Sequence, residues 1–126
     1  MPRPILDEAH LHPAIRDRVA GHQLDIVREV QTAIAEHPVV IVGMAQNPFP
    51  RKARKLLDAR GTPYRYLEYG SYLGEWRRRN ALKMWTGWPT FPMIFVRGVL
   101  IGGASELAGL IERGELDTLI GHRGAA

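Results

Sequence analysis

The stretch VVIVGMAQNPFPRKARKLLDARGTPYRYLE, residues 39–68, decides the architecture of this chain. Its first four residues are all β-branched, which is typical of a strand buried on both faces of a sheet. A helix is predicted over 48–60, with Asn47 as its N-cap and Gly61 as its C-terminal stop. Residues 63–68 then alternate like a second strand. A strand, a helix and a strand in this order predict a parallel pair joined by a right-handed crossover.

More elements surround this strand–helix–strand unit. Helices are predicted over 13–20, 23–36, 72–85, 105–113 and 115–120, and strands over 93–96 and 99–101. The turn at Arg97–Gly98 makes the last two strands a hairpin. A four-stranded mixed sheet flanked by helices closes this arrangement most simply, which is an α/β, thioredoxin-like fold. In the helix over 72–85 the candidate buried residues are Leu73, Trp76, Leu82 and Trp85.

The length of 126 residues is that of one ordinary domain. We expect an N-terminal helical extension at 1–22, the folded domain at 23–120 and a frayed C-terminus at 121–126. No apolar run reaches the roughly 20 residues that a membrane helix needs. The first residues also lack the apolar core of a secretion signal. A cytoplasmic location without membrane contact is therefore expected.

Composition limits the chemistry. The chain has no cysteine, which excludes disulfides, zinc–thiolate sites and a protein thiol nucleophile. The net charge is +4, and its densest basic run, Arg77–Arg79, is flanked by Trp76 and Trp85. We interpret this run as a solvated helix face rather than a nucleic-acid site. The five histidines show no convergent spacing, so no metal site is expected; they are His10, His12, His22, His37 and His122.

Three separated segments resemble one family. The segment NPFPRKA at 47–53 is similar to the Cys-Gly-Phe-Ser-Arg-Lys-Ala segment of monothiol glutaredoxins, with Asn47 at the cysteine position. The segment WPTFP at 88–92 is identical to the Trp-Pro-Thr-Phe-Pro of that group. Residues 98–107 are similar to its Gly-x-x-Ile-Gly-Gly-x-Asp-x-Leu. The resemblance covers about residues 24–120 and identifies the chain as a glutaredoxin relative.

This resemblance implies a groove for glutathione. Pro92 corresponds to the family's cis proline, and the backbone of Phe91 would pair with the cysteinyl unit. The helix that starts near Gly103 would hold the γ-glutamyl carboxylate, although Ser105 stands where an Asp is common. Arg79 matches a basic position that helps to hold the glycyl carboxylate. The predicted ligand-binding residues are Asn47, Phe49, Arg79, Thr90, Phe91, Pro92, Gly103, Ala104 and Ser105.

Asn47 gives this chain an amide where the glutaredoxins that it resembles carry a reactive thiol. An amide cannot attack a disulfide as a thiolate does, and it is a poor ligand for iron. We therefore expect neither thiol–disulfide oxidoreductase activity nor an iron–sulfur cluster. The leading hypothesis is a cysteine-less glutaredoxin relative that binds glutathione. The alternatives are a module that recognises a peptide segment through the same groove and, ranked last, oxidoreductase activity that uses the thiol of a ligand.

Overall fold

A computed structural model describes residues 2–121, so residues 122–126 of the predicted frayed C-terminus lie outside the described residues. A short 3₁₀ turn at Glu8–His10 precedes the first α-helix. The α-helices are α1 (Pro13–Gly21), α2 (Leu24–Glu36), α3 (Pro48–Arg60), α4 (Trp76–Thr86), α5 (Ala104–Glu112) and α6 (Leu116–Gly121). The strands are β1 (Val39–Gly43), β2 (Arg65–Glu68), β3 (Met93–Val96) and β4 (Val99–Gly102).

The four strands form one mixed sheet in the order β2-β1-β3-β4. β1 and β2 run parallel, with Val40 opposite Arg65. β3 is antiparallel to both β1 and β4, with Ile41 opposite Ile94. The crossover that joins the parallel pair runs through α3, and the rule for such units is a right-handed connection. The predicted thioredoxin-like fold is confirmed.

Two apolar clusters lie on the two faces of this sheet. Val40 and Val42 of β1 belong to the cluster built with α2 and α4. Val39 and Ile41 belong to the cluster built with α3, α5 and α6. All residues of β1 are buried, as its β-branched run predicts. β1 is the centre of the core because its side chains belong to both clusters. Each such side chain contributes roughly 1.5–3 kcal/mol on full burial.

The limits of α3 follow from local chemistry. The Asn47 side chain accepts a hydrogen bond from the Phe49 N–H, which caps the helix start. Gly61 has a φ of 69°, a left-handed conformation that glycine adopts without steric cost. Its N–H donates to the carbonyls of Asp58 and Leu57. Both ends of α3 therefore lie where the sequence predicts them.

α4 begins at Trp76, four residues later than predicted. Gly70 and Glu75 have positive φ angles of 65° and 59°, which a right-handed helix cannot include. Residues 70–75 therefore form a loop, in which Leu73 is 92% exposed. Trp76 is 56% exposed, so the prediction that Leu73 and Trp76 are buried is wrong.

The C-terminal half of α4 agrees with the sequence. Leu82 is fully buried. Trp85 is partly buried and stacks on Phe95 of β3, with ring centroids 6.1 Å apart. The buried apolar face that the sequence predicts for this helix is thus present, but it begins after the first turn of α4.

The N-terminal segment adds little to the core. α1 has no buried residue. Arg3 lies against the C-cap of α4, because a Cβ at Gly87 would come within 2.8 Å of its guanidinium carbon. The division into an extension at 1–22 and a domain at 23–120 stays a prediction. Among residues 2–121, no helix has the length and apolar character needed to cross a bilayer.

Candidate functional site

A groove of about 540 Å³ lies between the starts of α3 and α5, the 88–92 segment and the last turns of α4. Three motif segments that are far apart in the sequence meet at this place. The lining residues are Met44, Asn47, Phe49, Tyr72, Lys83, Trp88, Pro89, Thr90, Phe91, Pro92, Gly103, Ala104, Ser105 and Glu106. Eight of the nine predicted ligand residues are among them.

Asn47 joins the start of α3 to the loop before β3. Its Oδ1 accepts the Phe49 N–H at 2.9 Å. Its Nδ2 lies 3.5 Å from the Phe91 carbonyl oxygen and donates to it. Position 47 therefore faces the backbone that the resemblance assigns to ligand pairing. The amide therefore links the Phe49 N–H at the start of α3 to the Phe91 carbonyl in the loop before β3.

The segment from Trp88 to Pro92 forms one wall of the groove. The Phe91–Pro92 peptide bond is cis, as predicted, and both residues are buried. Thr86 holds this wall in place, because its hydroxyl donates to the Leu82 carbonyl and accepts the Trp88 N–H. The wall is therefore anchored to the end of α4. Thr90 is exposed at its edge.

The start of α5 forms the opposite wall. Glu106 lies in the first turn, and its Oε1 accepts the Gly103 N–H at 2.8 Å. Sequence reasoning missed Glu106, although a carboxylate three residues after an N-cap is the known signal of a capping box. The carboxylate brings a negative charge to a helix end that otherwise favours anions. Ala104 is buried and Ser105 is exposed at the same end.

Trp88 presents an unused hydrogen-bond donor to this wall. Its Nε1 is buried and has no partner among the described residues. It lies close to the helix start, since a Cβ at Gly103 would be 3.9 Å from it. A buried donor without an acceptor costs about 1–3 kcal/mol, so an acceptor on a ligand would relieve this cost.

Arg79 does not lie in the groove. Its side chain is 6% exposed, and its Nη1 donates to the carbonyls of Tyr69, at 3.0 Å, and Gly74. It therefore holds the loop before α4. Lys83, one helical turn further on, lines the groove instead, with its Nζ 5.7 Å from the centre of the Phe91 ring. The spacing of four residues places both on neighbouring turns of one helix face, and the hydrogen bonds to the loop keep Arg79 out of the groove.

The Tyr66 ring lies beside Gly43 and Pro50, at the first turn of α3. A Cβ at Gly43 would lie 2.8 Å from Pro50 and 3.0 Å from the Tyr66 ring, so these three residues pack closely. The Tyr66 hydroxyl donates to Glu68 at 2.9 Å. Burial, and then this hydrogen bond, raise the pKa of Tyr66 to about 12. The phenol is therefore neutral at physiological pH and has a structural role.

The residues that the structure describes offer no cluster of metal ligands. Among residues 2–121, no group of three or more His, Asp or Glu side chains is placed to hold an ion. Lys83 and Glu106 are the charged residues of the groove lining. The arrangement can therefore bind a ligand that carries both a cationic and an anionic group.

Comparison with known proteins agrees with this geometry. The family model for glutaredoxin matches residues 39–101. A glutaredoxin-like protein of Dictyostelium discoideum is 41% identical over 102 residues, which cover 81% of this chain and 83% of the relative. A probable monothiol glutaredoxin of Legionella pneumophila is 32% identical over 77 residues, which cover 61% of this chain and 83% of the relative.

Solved structures share the fold. The buckwheat glutaredoxin–glutathione complex superposes with a TM-score of 0.68 at 22% identity, over 79% of this chain and 91% of that one. Wheat glutaredoxin gives a TM-score of 0.66 at 27% identity, over 81% and 94% of the two chains. The family model covers half of the chain, and the Dictyostelium relative matches most of it. The protein therefore belongs to the glutaredoxin family.

Proposed function

We propose that this protein binds glutathione in the groove and carries out no thiol–disulfide exchange. The observation that carries this proposal is the meeting of Asn47 with the Phe91 backbone at 3.5 Å in a chain without cysteine. In this proposal Asn47 occupies the position of the family's reactive cysteine. The groove also lies in a fold shared with a buckwheat glutaredoxin that was solved with glutathione.

The α5 wall suits the γ-glutamyl end of glutathione. An α-amino acid carries a carboxylate and an ammonium on one carbon. The backbone amides of Ala104 and Ser105 and the unpartnered Nε1–H of Trp88 supply donors for the carboxylate. The Glu106 carboxylate supplies the negative charge for the ammonium, which Ser105 lacks.

The opposite end of the ligand needs a cation. The resemblance to monothiol glutaredoxins assigns this role to Arg79, but its guanidinium is held by backbone carbonyls. We assign the role to Lys83, which lines the groove. An ammonium beside a carboxylate contributes about 1 kcal/mol when both are partly solvated. Lys83→Gln is therefore expected to weaken glutathione binding about fivefold.

The missing thiol prevents exchange chemistry on the bound ligand. Exchange requires a protein thiolate that attacks the ligand sulfur and forms a mixed disulfide. Asn47 has no such nucleophile, and no other residue of the chain supplies a thiol. An iron–sulfur cluster would likewise lack a cysteine ligand from this chain. Glutathione is then a ligand and not a substrate, and a cytoplasmic location is part of this proposal.

An amide NMR titration with reduced glutathione tests the proposal. We expect shifts at Phe91, Ala104 and Ser105 and at the Trp88 indole N–H. Lys52→Gln is the matched control for Lys83→Gln, because Lys52 is exposed on α3 and does not line the groove. No shift at these positions with millimolar ligand would overturn the proposal.

A second candidate is a peptide-binding module that uses the same groove. Phe49 and Tyr72 favour it, because they line the groove and are 54% and 63% exposed. Exposed aromatic side chains beside a groove are typical of recognition surfaces. A cysteine-free peptide that competes with glutathione at Phe91 and loses affinity with Tyr72→Ser would support this candidate. Unchanged glutathione shifts in the presence of such peptides would count against it.

A further inference from the structure

A second cavity, of about 690 Å³, lies between α1, α2 and α4. It shares no lining residue with the glutathione groove. Most of its wall comes from residues before the 39–101 segment that matches the family model. The lining residues are Ile15, Arg18, Val19, Ala20, His22, Leu24, Val27, Ala81, Met84 and Trp85.

The lining of this cavity is mainly apolar. Val27 and Ala81 are buried, and Trp85 connects the cavity to the core through its stack on Phe95. The rim is open, since Val19 and Met84 are 52% and 62% exposed. Apolar surface left in water in this way favours an apolar occupant, at about 25 cal/mol per Å² that becomes buried. The volume also lies in the range of small-molecule sites, roughly 300–1,000 Å³.

The charge that the cavity lining carries is positive. Arg18 lines it, His22 is the other titratable residue of the lining, and no carboxylate contributes. None of the ion pairs found between described residues involves Arg18. An anionic head group would therefore gain a guanidinium partner that no protein carboxylate occupies.

We propose that this cavity binds a free single-chain carboxylate amphiphile of the fatty-acid type. The hydrocarbon chain lies along Val27, Ala81 and Trp85, and the carboxylate meets Arg18. A mostly apolar wall with a few polar groups is the usual form of a small-molecule site, and here Arg18, exposed at the rim, supplies the cation. The site does not depend on glutathione binding, because the two linings are separate.

Titration of the full chain with dodecanoate, followed by NMR of the indole N–H groups, tests this site. The Trp85 signal is expected to shift, while the Trp88 signal of the glutathione groove stays in place. Dodecylamine, with the same chain and opposite charge, is expected to bind at least tenfold more weakly. Equal binding of the two amphiphiles, or shifts confined to Trp88, would overturn the proposal.

Two variants separate the head group from the chain. Arg18→Glu is expected to weaken dodecanoate binding at least tenfold, and the matched control is Arg28→Glu, an exposed α2 residue outside the lining. Val19→Asp is expected to abolish binding without unfolding the protein, because Val19 is already half exposed. Unchanged affinity in both variants would overturn the proposal. So would sedimentation that shows a dimer of the free protein which Val19→Asp converts to a monomer, because a second copy would then cover this surface.

Discussion

The two helix starts that face the groove are capped in opposite ways. α3 begins with the neutral amide of Asn47, which accepts the Phe49 N–H and reaches the Phe91 carbonyl. α5 begins with Gly103, whose N–H is taken by the carboxylate of Glu106. One end of the groove thus keeps its positive helix dipole, while the other carries a negative charge. In the proposed complex, this difference gives a zwitterionic peptide a partner for each of its charges without a protein thiol.

The largest loss of stability is expected from a substitution at the glycine turn that precedes α5. Gly102 has a φ of 112°, and a Cβ there would lie 2.7 Å from Cγ of Glu106. Gly102→Ala is therefore expected to lower the free energy of unfolding by about 2 kcal/mol, since an L residue is strained in this region. Urea denaturation measures the loss. Gly103→Ala is the matched control, since its Cβ would make only ordinary contacts and its φ is −111°. Equal losses in the two variants would contradict this account of the turn.

The cap of α3 is expected to contribute less. Asn47→Ala removes the side-chain acceptor for the Phe49 N–H and should cost about 1 kcal/mol of stability. Asn47→Asp keeps the acceptor for the Phe49 N–H and adds a favourable charge at the helix start, but it loses the donor to the Phe91 carbonyl, so only part of the lost stability should return. The same charge should repel an anionic ligand and weaken glutathione binding. Thermal unfolding and the NMR titration together check both effects, and a stable Asn47→Asp variant with tighter binding would refute the proposed role of position 47.

A substitution at Glu106 distinguishes its role as a helix cap from the effect of its negative charge on the ligand. Glu106→Gln keeps an oxygen for the Gly103 N–H, so the free energy of unfolding should change by only a few tenths of a kcal/mol. The loss of charge should weaken glutathione binding about threefold to tenfold, because the ligand ammonium loses its partner. The matched control is Glu112→Gln, an exposed residue of the same helix. Tighter binding by Glu106→Gln would show that the carboxylate repels the ligand instead.

The last expected effect appears only at high pH and comes from Tyr66, beside the start of α3. Tyr66 packs against Pro50, and burial raises its pKa to about 12, above the value of about 10 for an unfolded tyrosine. The folded state therefore holds the phenolic proton more tightly. Its contribution to stability is complete below pH 10 and is lost as the pH rises towards 12. Tyr66→Phe should lose less stability over this range than the parent protein. Identical slopes of unfolding free energy against pH would contradict the shifted pKa.

Local signals account for the parts of the fold that the sequence predicts. The β-branched run of β1 and the capping residues of α3, Asn47 and Gly61, act over a few residues and are readable without tertiary contacts. The start of α4 is different, because the loop before it depends on Gly70 and on side-chain hydrogen bonds from Arg79 across five and ten residues of the chain. Such a tertiary contact has no local signature.

The same contrast holds for the groove. The motif segments predict that Asn47, Phe91 and Ser105 line one groove, and the structure brings them together. Glu106 could have been predicted from the spacing of a capping box. The exchange of Arg79 for Lys83 could not be predicted, because the hydrogen bonds that hold Arg79 outside the groove form only when the loop before α4 folds against it. The second cavity depends on how α1 sits against α2 and α4, which no local pattern specifies.

The most direct test of the central claim restores the missing thiol. Asn47→Cys is mixed with glutathione disulfide, and intact-mass spectrometry follows the adduct in which one glutathione joins Cys Sγ and one glutathione thiolate leaves. Ala59→Cys, an exposed position on the same helix, is the control. If the groove still binds glutathione, the cysteine at position 47 should form the adduct at least tenfold faster than the one at position 59. Equal rates in two folded variants would contradict the claim.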